Sequence, residues 1–188
     1  MEHKKVNIMI GRFQPFTKGH MKCVEYAYDK LKIPTIIAMI NTPDNKVDKK
    51  HPFPSSLLLP IYKNMFEKNP KIEDIILVSN ANIVKIGEDL YNAGYEIASW
   101  TCGTDRIDSY SKMAEKYKES AHLSDDFQML EIKRSDEDIS ATKVRQAILD
   151  NDYDTFFKLT PPMSLKSRIK TGNNIFNILK QQLETVYN

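Results

Sequence analysis

Apolar residues fall into short runs that alternate between strand spacing and helical spacing along the chain. Residues 6–10 form a nearly continuous apolar run, and after it Met21, Val24, Tyr28 and Leu31 recur every three or four residues. The same criteria predict further strands at 34–40, 75–78, 95–102 and 127–132. They predict helices that begin at Thr17, at 57–67, at 84–92, at 105–118 and after Ser140, and a last helix that carries Ile175, Ile178, Leu179 and Leu183 on one stripe.

Strands that alternate with helices indicate an α/β protein with a parallel sheet covered on both faces. The runs at 34–40 and 75–78 are apolar almost throughout, which is typical of strands buried on both faces. Gly94 follows the helix at 84–92 and is predicted to end it. The apolar stripe of the last helix favours core packing over a partner site.

Composition narrows the classes of function. The chain has 188 residues, enough for one domain that buries roughly 70% of its unfolded surface. A net charge of +2 is weak for a nucleic-acid-binding protein. No window approaches the ~18 apolar residues of a membrane span, and the N-terminal apolar run is short for a signal peptide. Cys23 and Cys102 are predicted to be buried free thiols. We expect a cytoplasmic protein that binds neither nucleic acid nor membrane.

The loop after the first strand, GRFQPFTKGH at 11–20, has the chemistry of a polyphosphate site. Gly11 and Gly19 would allow a ligand to approach the backbone, and the first turn of the next helix presents unpaired N–H groups. Arg12 and Lys18 add positive charge, and His20 adds a compact donor. The segment is neither a Walker A loop nor a GxGxxG fingerprint. The alternative is a turn with a capping threonine and a histidine of no functional role.

A second candidate segment, ISATKVR at 139–145, opens the helix after the fifth predicted strand. Ser140 is a natural N-cap, Thr142 offers a hydroxyl in the first turn, and Arg145 lies about one turn further on. By itself the segment is compatible with an ordinary helix start. Ligands of parallel sheets bind beyond the carboxyl ends of the strands, and both segments follow such an end.

Together the two segments resemble the [HT]xGH and ISxTxxR motifs of the nucleotidyltransferase superfamily. The form GRFQPFxxGH is most similar to archaeal-type nicotinamide mononucleotide adenylyltransferases. His51-Pro52-Phe53 resembles their Asn-Pro-Phe, and residues 103–106, Gly-Thr-Asp-Arg, resemble the Gly-Ser-Asp-Arg of small, often phage-encoded members. The resemblance extends over about residues 5–160.

The resemblance implies a Rossmann-like, doubly wound parallel sheet of five strands in a domain at 1–160, with a C-terminal helix at 161–188 packed on it. ATP would bend around the first loop, with its α-phosphate at His20. The implied catalytic residues are His20, Thr17 and Arg145. The ATP-binding residues expected from the resemblance and from the loop chemistry are Gly11, Arg12, Phe13, Lys18, Gly19, Gly103, Asp105, Ser140 and Thr142.

The reaction that the resemblance implies is transfer of the adenylyl group of ATP to a phosphorylated acceptor, with release of pyrophosphate. This reaction needs neither a nucleophilic side chain nor a metal cage. An acceptor phosphate is already ionised near neutral pH, so catalysis reduces to positioning and charge stabilisation. Mg²⁺ would arrive with ATP, bound mainly by phosphate oxygens and water. His3, His51 and His122 have no partners at metal-ligand spacing and are predicted to face solvent.

The acceptor is the open part of the prediction, with nicotinamide mononucleotide as the first choice. Archaeal-type enzymes usually have His where this chain has Thr17, and an arginine in the loop where residues 41–54 offer only lysines. These lysines suit either a solvated loop or a phosphate contact. Candidate acceptor residues are Asn80, Asn82 and Trp100, with turn formation and core packing as the alternatives.

Three other functions are alternatives to the predicted one. The acceptor could be pantetheine phosphate or FMN, or the nucleotide could be CTP. A catalytically silent nucleotide-binding regulator would share the fold. An aminoacyl-tRNA synthetase domain has a related loop, but this short chain shows no KMSKS-like segment. The oligomeric state is left open, and a homo-oligomer is one of the possibilities.

Overall fold

The computed structural model describes residues 2–133, 140–163 and 174–188. Its strands are β1 Lys4–Gly11, β2 Thr35–Ile40, β3 Ile72–Val78, β4 Tyr95–Gly103 and β5 Leu123–Ile132. Its α-helices are α1 Lys18–Leu31, α2 Ser55–Phe66, α3 Ile83–Asn92, α4 Thr104–Lys116, α5 Ala141–Leu149, α6 Tyr153–Leu159 and α7 Ile175–Tyr187. A short 3₁₀ helix, Asp44–Lys46, precedes α2.

The five strands form one parallel sheet in the order β3-β2-β1-β4-β5. The chain lays strands outward from β1 to β3 and then crosses back to β4, so the order reverses beside β1. Such a reversal is the usual ligand site of open α/β sheets. The Rossmann-like α/β fold and the five parallel strands predicted from the sequence are therefore confirmed.

The sequence prediction was wrong about β3, which was expected to be buried on both faces. β3 is an edge strand, and Leu77 near its end has 46% of its surface exposed. By contrast, the first five residues of β2 are all buried, because strands pair with β2 on both sides. An apolar run predicts a strand, but its position within the sheet depends on pairing with distant segments.

The chain divides into two compact units, and each is described separately. The sheet unit comprises the described residues of 2–11, 22–40 and 70–133. Its core contains the fully buried Val6, Ile8, Ile36 and Trp100, and the indole of Trp100 stacks on Tyr110 with 4.2 Å between ring centroids.

A buried amide, Asn7, lies on the central strand of the sheet unit. Its Nδ2 donates to Thr35 Oγ1 on β2 at 3.0 Å. Its Oδ1 accepts from Ser99 Oγ at 2.7 Å and from Thr101 Oγ1 at 2.9 Å, both on β4. One side chain thus joins three strands and satisfies three buried hydroxyls.

The loop unit comprises residues 12–21 and 41–69 and the described part of the chain from residue 140 onward. It contains α2, α5, α6 and α7, and α5 packs on both α6 and α7. Phe156 and Phe176 meet edge to face at 5.2 Å between centroids, and Leu183 is fully buried. The core role predicted for the stripe on α7 is confirmed. The short helix α6, capped by Asp152, was not predicted.

One local prediction agrees with the structure and another agrees in part. Gly94 has φ of +91°, a conformation that suits glycine, and it follows the end of α3. Cys102 is buried, while Cys23 is partly exposed, so the expectation of two buried thiols is correct for one of them. Among the described helices, none is both long and apolar enough to cross a membrane.

Candidate active site

The loop at 12–17 is closed by the hydroxyl of Tyr62 on α2. This hydroxyl donates to the carbonyl of Phe13 at 2.6 Å and accepts from the backbone N–H of Phe16 at 2.8 Å. Tyr62 is fully buried, and burial raises its pKa far above the usual value, so the hydroxyl stays protonated. The tyrosine therefore holds both ends of the turn between Phe13 and Phe16.

The left-handed residue of this loop is a phenylalanine rather than a glycine. Phe13 has φ of +51°, which is uncommon for a bulky residue. Among the described glycines, Gly94 is the one with a positive φ, so neither Gly11 nor Gly19 adopts a left-handed conformation. The surrounding hydrogen bonds must hold the strained conformation of Phe13 in place.

A buried glutamine joins this loop to the segment before α2. The Nε2 of Gln14 donates to the carbonyl of Phe53 at 2.7 Å, and the Phe53 N–H donates to Gln14 Oε1 at 2.9 Å. Gln14 has 5% of its surface exposed and Phe53 none. The amide thus satisfies both backbone groups of Phe53 and fixes the spacing of the two loops.

Thr17 and His20 form a reciprocal pair at the start of α1. The Thr17 backbone N–H donates to His20 Nδ1 at 3.0 Å, and the His20 N–H donates to Thr17 Oγ1 at 3.3 Å. Because Nδ1 accepts, the neutral imidazole carries its proton on Nε2. Thr17 therefore caps the start of α1, as the alternative interpretation of the loop expected, and its catalytic role stays a prediction. Its burial with 1% exposure makes its hydroxyl part of the support for His20.

Aromatic rings flank the imidazole of His20. Phe13 meets it edge to face, with 5.0 Å between ring centroids, and Phe16 lies at 5.2 Å. Phe13 has 5% of its surface exposed and Phe16 none. Phe13 was predicted to bind ATP, and its contact in the structure is with His20. The imidazole of His20 is therefore held by aromatic packing and by a hydrogen bond at Nδ1.

The second motif begins α5 as predicted. Ser140 is its N-cap, with Oγ accepting from the Lys143 N–H at 3.1 Å. Ile139 of the motif lies outside the described residues. The first turn of α5 presents the backbone N–H groups that make a helix N-terminus an anion site. The Thr142 hydroxyl lies in this turn, where it accepts from Arg145 Nη2 at 3.2 Å.

Arg145 connects the two motifs. Its Nη1 donates to the main-chain carbonyl of Gln14 at 2.7 Å, across a separation of 131 residues in the chain. It is 8% exposed, and its Nε is buried without a hydrogen-bond partner in the described part of the chain. Burial lowers the pKa of the guanidinium, which remains charged at neutral pH. Bonds to Gln14 and Thr142 fix its orientation and leave N–H donors for an anionic ligand.

A guanidinium does reach the loop at 41–54, although that loop contains no arginine. Arg12 donates through Nη1 to the carbonyl of Asn41 at 3.2 Å and to Thr42 Oγ1 at 3.2 Å. The Thr42 N–H in turn donates to Ser55 Oγ at the start of α2, at 2.8 Å. The sequence predicted Arg12 as an ATP-binding residue and gave no indication of its contact with this loop.

His51, which was predicted to face solvent, is partly buried. The His51 N–H donates to Asp48 Oδ1 at 2.6 Å, and its Nδ1 lies 3.5 Å from the same oxygen. Its side chain is 26% exposed, and its pKa is lowered first by burial and then by the positive charge of Arg12. Burial and a nearby cation both disfavour the protonated ring.

Four other predicted ligand residues lie at helix starts. Lys18 and Gly19 belong to the first turn of α1, where Lys18 is exposed. Gly103 ends β4 in the sheet unit and is the N-cap of α4, and Asp105 lies in the first turn of that helix. Their carboxyl-end positions are those expected for ligand residues of a parallel sheet. Their contact with ATP stays a prediction.

The proposed acceptor residues have structural roles in the sheet unit. Asn82 caps α3 by accepting from two backbone N–H groups, and Asn80 Oδ1 accepts from the Asn82 N–H at 3.0 Å. Both border a cavity of about 190 Å³ beyond β3. Trp100 has no exposed surface, so core packing accounts for it. His3 and His122 each stack on Tyr91, with 3.9 and 4.3 Å between ring centroids.

Sequence reasoning gave no role to Gln14, Tyr62 and Tyr187. Gln14 was visible inside the first motif, but a glutamine in a loop has no chemistry that predicts a buried bridge. Tyr62 occupies an apolar position of α2, where a tyrosine looks like core. Tyr187 contacts the loop at 41–54 from α7, through a hydroxyl that donates to the Lys49 carbonyl at 3.1 Å.

A family model described as cytidylyltransferase-like matches residues 8–147 of this chain. No curated protein matches it. Among solved structures, Plasmodium falciparum nicotinic acid mononucleotide adenylyltransferase complexed with APC is similar, with a TM-score of 0.57 and 16% identity over 93% of this chain and 98% of that one. A bifunctional NMN adenylyltransferase/ADP ribose pyrophosphatase from Francisella tularensis has a TM-score of 0.63 and 16% identity over 97% of this chain and 52% of that one.

Proposed function

Because the chain belongs to the cytidylyltransferase-like family, we propose that it is an adenylyltransferase that joins ATP to nicotinamide mononucleotide, giving NAD and pyrophosphate. The observation that carries the proposal is the bond of 2.7 Å from Arg145 to the Gln14 carbonyl. It connects the helix start suited to the departing phosphates with the loop that presents His20. Two anion-binding elements thereby form one arrangement within the loop unit.

The proposed reaction is a single displacement at the α-phosphorus of ATP. An ionised phosphate oxygen of the acceptor forms a bond to that phosphorus, and the bond to the oxygen bridging the α- and β-phosphates breaks. The electron pair leaves with pyrophosphate. The acceptor oxygen needs no general base because it carries no proton near neutral pH. Rate enhancement then depends on orientation and on donors placed where negative charge grows.

His20 is proposed to donate from Nε2 to an α-phosphate oxygen. Its Nδ1 is occupied by the Thr17 N–H, which keeps the donor proton on Nε2 in the neutral ring. Phe13 and Phe16 restrict the ring's orientation. A donor fixed before the substrate binds costs little reorganisation during the reaction.

Ser140, Thr142 and Arg145 are proposed to hold the β- and γ-phosphates. The N-terminal turn of α5 supplies backbone donors, and Arg145 supplies a charge that its protein bonds have already oriented. Mg²⁺ is expected to enter with ATP as part of the substrate and to neutralise phosphate charge. The described residues include no group of three or more His, Cys, Asp or Glu side chains arranged to hold a metal ion.

Support for a nicotinamide-type acceptor comes from the sequence form of the first motif and from the folds that this chain is similar to. The test is incubation of the protein with MgATP and one acceptor at a time, with chromatography of the products. NAD from nicotinamide mononucleotide is the expected result. Nicotinic acid mononucleotide belongs in the panel because a structural neighbour is named for it.

Pantetheine phosphate, FMN and CTP form the remaining arms of the panel. Product from one of these and none from nicotinamide mononucleotide would replace the acceptor or nucleotide and keep the reaction class. ATP binding without turnover of any acceptor would instead favour a silent nucleotide-binding regulator. Thr17, which matches pantetheine-phosphate members of the superfamily in place of histidine, makes the first of these arms the most informative.

A further inference from the structure

The C-terminal helix α7 contacts the loop at 48–53 through two polar side chains. Gln182 Nε2 donates to the carbonyl of Pro52 at 3.0 Å, and the Tyr187 hydroxyl donates to the carbonyl of Lys49 at 3.1 Å. The Lys49 ammonium also lies over the Tyr187 ring, 5.5 Å from its centroid. One tyrosine thus holds both the backbone and the side chain of Lys49.

The same loop is linked to Arg145 through Gln14. Phe53 follows Pro52 directly and binds the Gln14 side chain with both its N–H and its carbonyl. The Gln14 carbonyl accepts from Arg145. A displacement of the loop at 48–53 would therefore be transmitted to the guanidinium by hydrogen bonds.

Tyr187 also lies near Arg145. Burial lowers the pKa of Arg145, and the proximity of the Tyr187 side chain and of the Asp48 carboxylate opposes that lowering. Helix α7 is anchored for this purpose by packing on α5, the helix that carries Arg145.

We propose that Tyr187 is a positioning residue for Arg145, which it orients through the hydrogen bond of its hydroxyl to the loop at 48–53. This inference rests on the proposed function in one respect, namely that Arg145 binds the phosphates of ATP. It assigns to α7 a role in substrate binding that the motifs at 11–20 and 139–145 do not contain. The helix was predicted from sequence as core packing alone.

The test is Tyr187→Phe, which removes the hydroxyl and keeps the ring beneath Lys49. We expect kcat/KM for ATP to fall about 2- to 12-fold, the effect of losing one neutral hydrogen bond. Tyr153→Phe is the matched control, because the Tyr153 hydroxyl bonds Asn177 of the same helix at 3.4 Å in an exposed position. The control should leave kcat/KM unchanged.

A double-mutant cycle separates positioning from a general effect on structure. In an Arg145→Met background, Tyr187→Phe should have no further effect on kcat/KM, since the group on which it acts is gone. Arg145→Ala provides a second background if the methionine variant fails to fold. The inference would be overturned if Tyr187→Phe lowered kcat/KM by the same factor with and without Arg145. Equal losses for Tyr187→Phe and Tyr153→Phe would also overturn it.

Calorimetric binding of magnesium pyrophosphate repeats the cycle without any acceptor. If nicotinamide mononucleotide is not a substrate but pyrophosphate binds, the acceptor proposal fails and the Tyr187 inference is still decided. Tyr187→Phe should weaken this binding about 2- to 12-fold in the wild-type background and leave it unchanged in the Arg145→Met background. If the wild-type protein bound neither ATP nor pyrophosphate, both proposals would be overturned.

Discussion

Two buried amides, Asn7 in the sheet unit and Gln14 in the loop unit, both form hydrogen bonds through their nitrogen and their oxygen, but to different kinds of group. Asn7 bonds three hydroxyls on the neighbouring strands β2 and β4. Gln14 bonds the two backbone groups of Phe53, and its own carbonyl accepts from Arg145. The hydrogen bonds of Asn7 stay within the core, whereas those of Gln14 include a charged residue of the candidate site.

This difference separates stability from function in physical terms. Removing either amide would leave buried polar groups unpaired, which costs free energy of unfolding in both units. Removing Gln14 would also release the segment that supports Arg145 and lies between Phe13 and His20. We therefore expect replacement of the buried amide in the sheet unit to lower stability alone. Replacement of the buried amide in the loop unit should lower activity as well.

The largest expected effect is that of His20→Ala, compared with His3→Ala. Losing the proposed donor to the α-phosphate should lower kcat by about 10²–10³-fold and change KM for ATP much less, because the interaction strengthens in the transition state. His3, stacked on Tyr91 in the sheet unit, should be replaceable without a change in kcat. The measurement is steady-state kinetics, with circular dichroism as the check of folding. A near-normal kcat for His20→Ala would remove its catalytic role.

The second prediction tests the two amides directly. Gln14→Met and Asn7→Leu keep side-chain volume and remove the polar groups, and each should lower the free energy of unfolding by about 1–3 kcal/mol. Gln14→Met should also lower kcat/KM by up to about 10²-fold, as expected from displacement of catalytic groups. Urea denaturation and kinetics on the folded fraction measure the two quantities. Equal activity in the two variants would mean that the anchoring of the Gln14 segment to Phe53 has no functional weight.

The third prediction concerns the hydroxyl that closes the first loop. Tyr62→Phe leaves the Phe16 N–H and the Phe13 carbonyl without this partner, and should cost about 1–3 kcal/mol of stability and lower kcat about 2- to 10-fold. Tyr110→Phe in the sheet unit is the control, because Tyr110 contacts Trp100 through its ring. Thermal melts that shift equally for both variants would show that the Tyr62 hydroxyl does not hold the loop.

The smallest expected effect is electrostatic and concerns His51. Its pKa lies below the usual 6.5 because of burial and of Arg12. The unfolded state therefore binds this proton first as the pH falls below about 6.5, and the free energy of unfolding should decrease there. Arg12→Gln should raise the pKa of His51 and Asp48→Asn should lower it, as followed by NMR of the imidazole. Shifts in the opposite directions would contradict the arrangement of charges.

Local signals in the sequence were sufficient for the five strands, for the α-helices other than α6, and for the ends of several helices. Apolar spacing located all five strands, and Ser140 and Gly94 mark an N-cap and a helix stop as predicted. These features depend on residues within one turn of each other, so the chain carries their cause next to their effect. The two motifs were found for the same reason, since each is contiguous.

Contacts between distant segments decided the rest. Leu77 is exposed because β3 has a neighbouring strand on one side alone, and apolar spacing carries no record of strand order. Tyr187 contacts the Lys49 carbonyl across 138 residues, and Arg145 contacts the Gln14 carbonyl across 131. A backbone carbonyl has no side-chain identity, so no pattern of residue types could have predicted these partners. Packing of α5, α7 and the two loops brings them within hydrogen-bond distance.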